Sequence, residues 1–386
     1  MKRSTDRILT SHVGSLIRPP ELIEFLRAQQ ERRPVDDAAF AKCLTNAVVD
    51  IVRRQAEVGI DVVDDGEFGK TISWSQYALE RLSGFERRPI SGGVNPFARG
   101  ADRTRFAAFY AELDARDAPA TQWEAACIGE IAYTGQAALK RDIDNLRAAA
   151  KAAGVPEQHV FLPATAPSGV GINEYYKTQE EYFFALAAEL AKEYRAIHAA
   201  GMLVQIDDPF LPDIFFEPGL DDAQKKRRAS IYVEATNTAL KGIPAESVRF
   251  HTCYGINEGP RLYEAGLADI IQYVLQIDAG SYSFEAANPR HEHEYHLFER
   301  VKVPDGKVLV PGVITHASNI VEHPELIAER LVRFAKLVGR ENVIAGADCG
   351  FSSQALYKTE VHPTVVWEKF KAMRQGADLA TRQLWK

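Results

Sequence analysis

A strand-then-helix unit recurs along the chain, and this repetition constrains the fold more than any other feature of the sequence. Short apolar, β-branched runs predict eight strands, separated by longer segments with helical periodicity. The predicted strands are Ile8–Val13, Asp61–Asp65, His159–Pro163, Met202–Asp207, Ser247–Thr252, Ser281–Glu285, Lys307–Val313 and Asn342–Gly346. Clear predicted helices are Glu180–Ala200, Asp222–Leu240, Pro324–Val338 and Pro363–Trp385.

Eight such units predict an α/β fold, a closed (β/α)8 TIM barrel formed by one domain over residues 1–386. The alternative is a doubly wound open sheet, but the sequence lacks the Gly-rich turn that follows the first strand of dinucleotide-binding sheets. The segment 83–135 does not fit the repeat. Because it contains Ser91-Gly92-Gly93 and many aromatic residues, we expect an insertion between strands two and three, a hairpin with a helix and a candidate lid.

The composition excludes several classes of protein. The 46 Lys+Arg and 53 Asp+Glu residues give a net charge of −7, which argues against nucleic-acid binding because phosphate contacts need a basic surface. The sequence contains no run of 18 apolar residues, so we expect no membrane partner. Four scattered cysteines are too few for a disulfide framework and indicate a reducing, cytoplasmic setting. No oligomeric state is predicted.

Polar side chains collect where the predicted strands end, which is where a (β/α)8 barrel carries its functional groups. These residues are His12, Ser15, Asp64, Asp65, Glu67, Ser168, Asp207, Asp208, His251, Cys253, Glu285, Asn288, His316, Asp348 and Cys349, and Gly14 lies among them. One strand that ends in a carboxylate or an imidazole is ordinary, but eight in succession are hard to obtain by chance. The sequence therefore predicts an active site at this end of the sheet.

The pair His251-x-Cys253 is the sharpest of these signals. At strand period both side chains point to the same face, which suits two ligands of one metal ion. Imidazole and thiolate favour Zn²⁺ over Mg²⁺ or Ca²⁺, although a buried cysteine is more often simply a small apolar residue. Cys349 and Glu285, each at another strand end, would complete a tetrahedral zinc site.

The other cysteines and a histidine-rich segment receive simpler interpretations. Cys43 and Cys127 fall in helical or inserted segments, so we expect them to pack in the core. The segment 291–296 resembles a metal motif, but zincin spacing needs a histidine where Tyr295 stands. We interpret it as a solvated surface cluster, with the alternative that one member reaches over the pocket.

In this order along the chain, the strand-end residues resemble the catalytic barrel of cobalamin-independent methionine synthase and its short relatives, which include the zinc-dependent epoxyalkane:coenzyme M transferases. The matching stretches are 10–15, 66–68, 206–209, 251–254, 283–285, 312–316 and 348–350. The resemblance implies that the zinc ligands are His251, Cys253, Glu285 and Cys349. It also implies that the acceptor thiol's amino-acid part is held by Gly14, Ser15, Glu67 and Asp207, and we include His12 and Ser168 among the substrate-binding candidates.

The function implied by this resemblance is zinc-dependent methyl transfer to a thiol, from a 5-methyltetrahydrofolate-type donor to homocysteine or a related thiol. Zinc would hold the thiol as its thiolate, the nucleophilic form. We expect Glu285 to be the ligand that the thiol displaces. His316 is the best candidate for general acid, and His12 is the second.

The identities of the thiol and of the alkyl donor stay open. Glu67 and Asp207 favour an ammonium-bearing thiol, whereas Arg18 or Arg261 would bind the sulfonate of coenzyme M, whose transferases open an epoxide. The chain has room for one barrel where full methionine synthases have two, and Thr165–Ser168 stands where they carry a Cys-Trp sequence. A metal-dependent hydrolase and a non-catalytic zinc module are further alternatives, the former disfavoured by two thiol ligands.

Overall fold

Strands and helices alternate along the chain in the computed structural model, which describes residues 3–89, 101–116, 123–217, 219–255, 259–356 and 359–386. The strands are β1 (Leu9–Thr10), β2 (Phe85–Pro89), β3 (Trp123–Cys127), β4 (Phe161–Thr165), β5 (Ile172–Asn173), β6 (Leu203–Asp207), β7 (Val248–His251), β8 (Ser281–Phe284), β9 (Val308–Ile314) and β10 (Ile344–Ala347). The helices are α1 (Pro20–Gln30), α2 (Asp37–Glu57), α3 (Ala101–Arg105), α4 (Ala107–Arg116), α5 (Gln136–Ala152), α6 (Gln179–Ala199), α7 (Phe210–Phe216), α8 (Asp222–Leu240), α9 (Leu267–Val274), α10 (Pro324–Val338) and α11 (Pro363–Leu384).

Seven strands form a curled parallel sheet in the order β1-β10-β9-β8-β7-β6-β4. This order runs along the sheet without the reversal that defines a doubly wound fold, so that alternative is wrong. Two isolated parallel bridges, Ser11 to Val62 and Val63 to Val160, lie between the regions of the edge strands β1 and β4. Because all these strands run in one direction, their carboxyl ends meet at one end of the sheet.

The predicted strand Asp61–Asp65 is wrong in extent, since only Val62 and Val63 pair, and the predicted strand Ile8–Val13 is shortened to β1. The reason is local hydrogen bonding. The Asp64 carboxylate accepts from Gly66 N at 2.9 Å, and Asp65 accepts from Glu67 N at 2.8 Å. Such bonds from Asp to the backbone two residues on favour a turn over an extended ladder.

The predicted helices lie within one residue of their expected bounds. Helix α10 shows why such segments are readable. It begins at Pro324, and the side chain of the preceding residue, His323, accepts a hydrogen bond from Glu325 N at 3.2 Å. The helix buries Leu331 and Phe334 toward the sheet. The helix is followed directly by Gly339, whose φ of +89° suits a residue without a Cβ.

The segment between the second and third predicted strands contains an antiparallel pair, β2 with β3, and the helices α3 and α4. Strand β3 also pairs in parallel with β5, which gives a small three-stranded sheet. The Ser91-Gly92-Gly93 stretch lies outside the described residues. None of the described helices has both the length and the apolar composition that crossing a membrane requires.

The ends of β8 and β10 are tied together across the strand between them. Asp348, just after β10, accepts hydrogen bonds from Ala286 N and Ala287 N, both at 2.8 Å. Its carboxylate passes over β9 at Gly312, where an added Cβ would lie 2.0 Å from Asp348 Oδ1. The missing side chain at Gly312 therefore makes this tie sterically possible.

Gly312→Ala should destabilise the fold by about 2–4 kcal/mol, because Asp348 must move or lose its two buried hydrogen bonds. Urea unfolding of the purified protein measures this change. Gly129→Ala is the matched control, since its Cβ would meet only the Gly84 Cα, at 3.8 Å. Equal stability of the two variants would contradict the steric account.

Candidate active site

Three ligand-type side chains meet at the carboxyl end of the parallel sheet. His251 is the last residue of β7, Cys253 lies two residues further on, and Cys349 follows β10 by two residues. One atom from each lies within 4.8 Å of the others, and all three residues are buried. The two sulfur atoms are 3.2 Å apart. The structure brings these three sequence-predicted residues together.

His251 is oriented by the neighbouring strand. Its Nδ1 atom bonds to the hydroxyl of Ser283 at 3.1 Å, and Ser283 is its register partner on β8. This leaves Nε2 without a hydrogen-bond partner among the described residues. An imidazole nitrogen in need of a partner beside two thiols is a donor set that fits Zn²⁺, with Ser283 holding the ring as outer partners of metal-bound histidines do.

The two thiols differ in pKa because they are hydrogen-bonded to each other. The hydrogen bond between them lowers the pKa of Cys253 and raises the pKa of Cys349 well above the ordinary thiol value. Interacting sites of this kind release protons in two separate steps. Without a metal, the pair therefore favours one thiolate and one thiol.

Glu285 directly follows β8 but is not brought within this three-residue group. Its carboxylate instead accepts hydrogen bonds from Tyr254 N at 3.0 Å, from Asn288 Nδ2 at 2.9 Å and from Arg261 Nη1 at 3.2 Å. Burial works against ionisation, but the Arg261 charge and these hydrogen bonds hold the pKa of Glu285 below its usual value. The carboxylate is therefore ionised and already partnered.

His316 lies beside the other terminal nitrogen of the same arginine. Its Nε2 atom is 3.2 Å from the carbonyl oxygen of Gly255 and 3.4 Å from Arg261 Nη2. Its Nδ1 has no partner in the described part of the chain. Burial lowers the pKa of His316 to about 4, so the ring is neutral at pH 7, and with Nε2–H donated to Gly255 its Nδ1 is a proton acceptor.

Acidic side chains line the neighbouring strand ends. Asp207 is the register partner of His251, and burial raises its pKa to about 7. Glu67 adopts a φ of +60°, unusual for a residue with a side chain, and its carboxylate is 3.0 Å from Lys70 Nζ. Gly14 lies so close that an added Cβ would be 2.7 Å from Glu67 Oε1. Such strained, tightly packed backbone is a recurrent feature of binding sites.

The structure gives the other predicted substrate-binding residues protein partners. His12 uses both ring nitrogens, Nε2 with Gln55 Oε1 at 2.7 Å and Nδ1 as acceptor from Gly14 N at 3.2 Å. Ser168 donates to Asp208 at 2.8 Å, and the hydroxyl of Ser15 bonds with that of Ser353 at 3.3 Å. His12 is thus placed to orient the backbone at Gly14.

The histidine-rich segment is divided by the fold. His296 is exposed, as expected, but the surface interpretation is wrong for His291, which is buried. The His291 ring stacks on Tyr254 at 4.0 Å and bonds to two carboxylates, Glu294 at 2.8 Å and Glu264 at 3.1 Å. Its proximity to Tyr254 matches the alternative that one member reaches toward the site.

Three residues that contact the site, Ser283, Asn288 and Asp348, have no individual role predicted from the sequence. Ser283 could have been found from strand alternation, because it lies two residues before Glu285 on the same face. The contacts of Asn288 and Asp348 depend on the conformations of the loops that carry them, and residue spacing does not predict those conformations.

Comparison with known proteins matches the part of the chain that carries most of these site residues. Residues 165–375, more than half of the chain, match the family described as "Cobalamin-independent synthase, Catalytic domain". The chain belongs to this family. The resemblance seen in the sequence is confirmed, and the matched span covers His251, Cys253, Glu285, His316 and Cys349.

The chain is similar over nearly its whole length to named proteins of this kind. It is 25% identical to a methionine synthase of Thermococcus kodakarensis, over 97% of this chain and 94% of that protein. It is 22% identical to a 2-hydroxypropyl-CoM lyase of Xanthobacter autotrophicus, over 98% and 96%. A B12-independent methionine synthase from a Shewanella species, solved in complex with selenomethionine, has the same fold, with a TM-score of 0.73 at 20% identity and coverage of 98% and 99%.

The thiol pair gives a testable consequence. Metal-free protein should show the ultraviolet absorbance of one thiolate at pH 7, below the ordinary thiol pKa of about 8.5, because the bond between the sulfur atoms stabilises ionised Cys253. Cys253→Ser should abolish this absorbance, whereas Cys43→Ser should keep it. An absorbance that appears only above pH ~8.5 would contradict the shared-proton arrangement.

Proposed function

We propose that this chain is a zinc-dependent methyltransferase that acts on a thiol, with homocysteine or a related amino-thiol as the acceptor and a 5-methyltetrahydrofolate-type compound as the donor. The observation that carries the proposal is the buried group of His251, Cys253 and Cys349 at the carboxyl end of the sheet. Family membership and similarity to named methionine synthases support it.

Zinc held by these residues would deprotonate a bound thiol and keep it nucleophilic at neutral pH. Cys253 and Cys349 would supply two thiolates, and His251 its Nε2 atom. Glu285, next to the group, is the proposed fourth ligand and the one that the substrate sulfur replaces. Because carboxylate oxygen is a weaker partner than thiolate for a soft site, it is the natural ligand to leave.

His316 is proposed to carry the proton. The thiol must lose a proton on binding, and the leaving group of the alkyl donor must gain one. The neutral ring, with Nε2 committed to Gly255, can take a proton at Nδ1 and return it there. Because burial lowers the pKa of His316, its protonated ring would give up the proton readily to the leaving group.

The acidic side of the site supports an acceptor that carries an ammonium group. Glu67 and Asp207 are proposed to bind it, with Gly14 and Ser15 providing close-packed backbone. One oxygen of Asp64, also buried here, has no hydrogen-bond partner among the described residues. A buried carboxylate with a raised pKa, such as Asp207, gains from an arriving cation, which restores its ionised form.

The alternative is an epoxide-opening transferase that uses coenzyme M, favoured by the similarity to the 2-hydroxypropyl-CoM lyase. Its sulfonate would need a free cation. Arg18 is occupied by three backbone carbonyls, of Ser352, Glu67 and Lys70, and Arg261 is engaged by carboxylates. Both predicted sulfonate partners thus already bond to protein groups, which favours the amino-thiol.

We also propose that the bridges at Val62 and Val63 close the curled sheet into the eight-stranded (β/α)8 barrel of one catalytic domain. The segment 83–135 would then be its insertion and lid. Asp102 of α3 accepts a hydrogen bond from Leu262 N at 3.0 Å, which joins this segment to the loop beside the active site.

Purified protein should contain about one zinc ion per chain, and Cys349→Ser should lose most of it, because two thiolates dominate the affinity of such a site. Elemental analysis after dialysis measures the stoichiometry. Cys127→Ser, which removes a buried thiol outside the site, should retain the metal. Full retention by Cys349→Ser would overturn the ligand assignment.

With the metal bound, homocysteine and 5-methyltetrahydrofolate should give methionine, detected by mass spectrometry. Coenzyme M with an epoxide should give little thioether above background, because Arg18 and Arg261 already bond to protein groups. Asp207→Asn should raise the KM for homocysteine about 10-fold or more through the lost charge-assisted contact. Turnover of the epoxide pair alone would support the alternative function instead.

A further inference from the structure

Arg261 lies beside two of the residues proposed to carry the reaction, Glu285 and His316. Its Nη1 atom lies 3.2 Å from Glu285 Oε2 and 3.0 Å from Glu264 Oε1, and its Nη2 atom lies 3.4 Å from His316 Nε2. The side chain is 10% exposed, and the Glu285 side chain is fully buried. This is an ion pair shielded from water, which orients its partners more strongly than a surface pair.

The position of Arg261 is fixed independently of Glu285. Its other carboxylate partner, Glu264, also bonds to His291 Nε2 at 3.1 Å and lies 3.5 Å from Arg290 Nε. Arg261 Nη2 in addition donates to the carbonyl oxygen of Gly255. The guanidinium is therefore a fixed charge, held in place whether or not Glu285 stays beside it.

A carboxylate displaced from a metal in this position would stay buried, and a buried charge needs a partner of opposite sign. Within the described chain, the ion pair with Arg261 is the only salt bridge that Glu285 makes. Asn288 and the backbone of Tyr254 add neutral hydrogen bonds to the same carboxylate. The structure thus contains a ready acceptor for Glu285 outside the ligand group.

We propose that Arg261 is a positioning residue that competes with the metal for the Glu285 carboxylate and holds it whenever the substrate thiol takes its place. The inference rests on the proposed function. It predicts two effects of opposite sign when the guanidinium is removed. Glu285 should bind the metal more firmly, and the thiol should displace it less readily. A merely supporting role would instead weaken metal binding, as the loss of outer contacts usually does.

The experiment compares Arg261→Gln, Arg261→Lys and the control Arg290→Gln, which touches the same Glu264 but not Glu285. Zinc affinity is measured by competition with a chromophoric chelator, and homocysteine affinity from the visible spectrum of the cobalt-substituted protein. Arg261→Gln should bind zinc about tenfold more tightly and homocysteine about tenfold more weakly, with smaller changes in the charge-conserving Arg261→Lys. Arg290→Gln should leave both affinities within about twofold of the parent.

The same substitution in a Glu285→Gln background tests whether Arg261 acts through Glu285. There, Arg261→Gln should change neither affinity, because the carboxylate that is competed for is absent. Weaker zinc binding in Arg261→Gln, or an effect that persists without Glu285, would overturn the inference while leaving the proposed function standing. A parent protein that binds no zinc would overturn the proposed function, and this inference with it.

Discussion

The Asp348 carboxylate, with its two hydrogen bonds to Ala286 N and Ala287 N, is the interaction on which the geometry of the site depends. It joins the loop after β10, which carries Cys349, to the loop after β8, which carries Glu285. Parallel strands alone bring these loops to the same end of the sheet but do not set their spacing. Burial raises the pKa of Asp348 to about 7, and the absent side chain of Gly312 provides its path. The fold tolerates this buried acid because it accepts hydrogen bonds from two backbone N–H groups that would otherwise be buried without a partner.

Desolvation organises the remaining charges. Around the site, burial raises the pKa of Asp65, Asp207 and Asp348 to about 7, while Glu285 stays acidic beside Arg261. The fold therefore separates two kinds of carboxylate. Carboxylates of the first kind have a pKa near 7, so an arriving cation would favour their ionised form, which suits the amine of the proposed amino-thiol acceptor. The other is ionised and paired, which suits a group that exchanges between a metal and a fixed guanidinium.

Much of this arrangement could be predicted from the sequence, because strand periodicity places His251 and Cys253 on one face and parallel strands bring Cys349 to the same end. The helices were readable from caps and apolar spacing. Asp61–Asp65 was not, since carboxylates that bond to nearby amides compete with strand pairing. In the coenzyme M alternative Arg261 is one of two candidates for binding the sulfonate, whereas the fold gives it Glu264 and Glu285 as partners. Which anion a long, flexible cation meets depends on a loop conformation that spacing does not record.

The charges of the proposed exchange balance, which is why an arginine rather than a neutral donor suits this position. An incoming thiol that loses its proton brings one negative charge to the ligand group, and the departing Glu285 removes one. The released carboxylate would then pair with the Arg261 guanidinium, which Glu264 also contacts, and the proton would have an acceptor in His316 Nδ1. A neutral partner at position 261 would leave the displaced carboxylate as an uncompensated buried charge. In the proposed exchange, the guanidinium would thus stabilise the displaced carboxylate while the thiol takes its place in the ligand group.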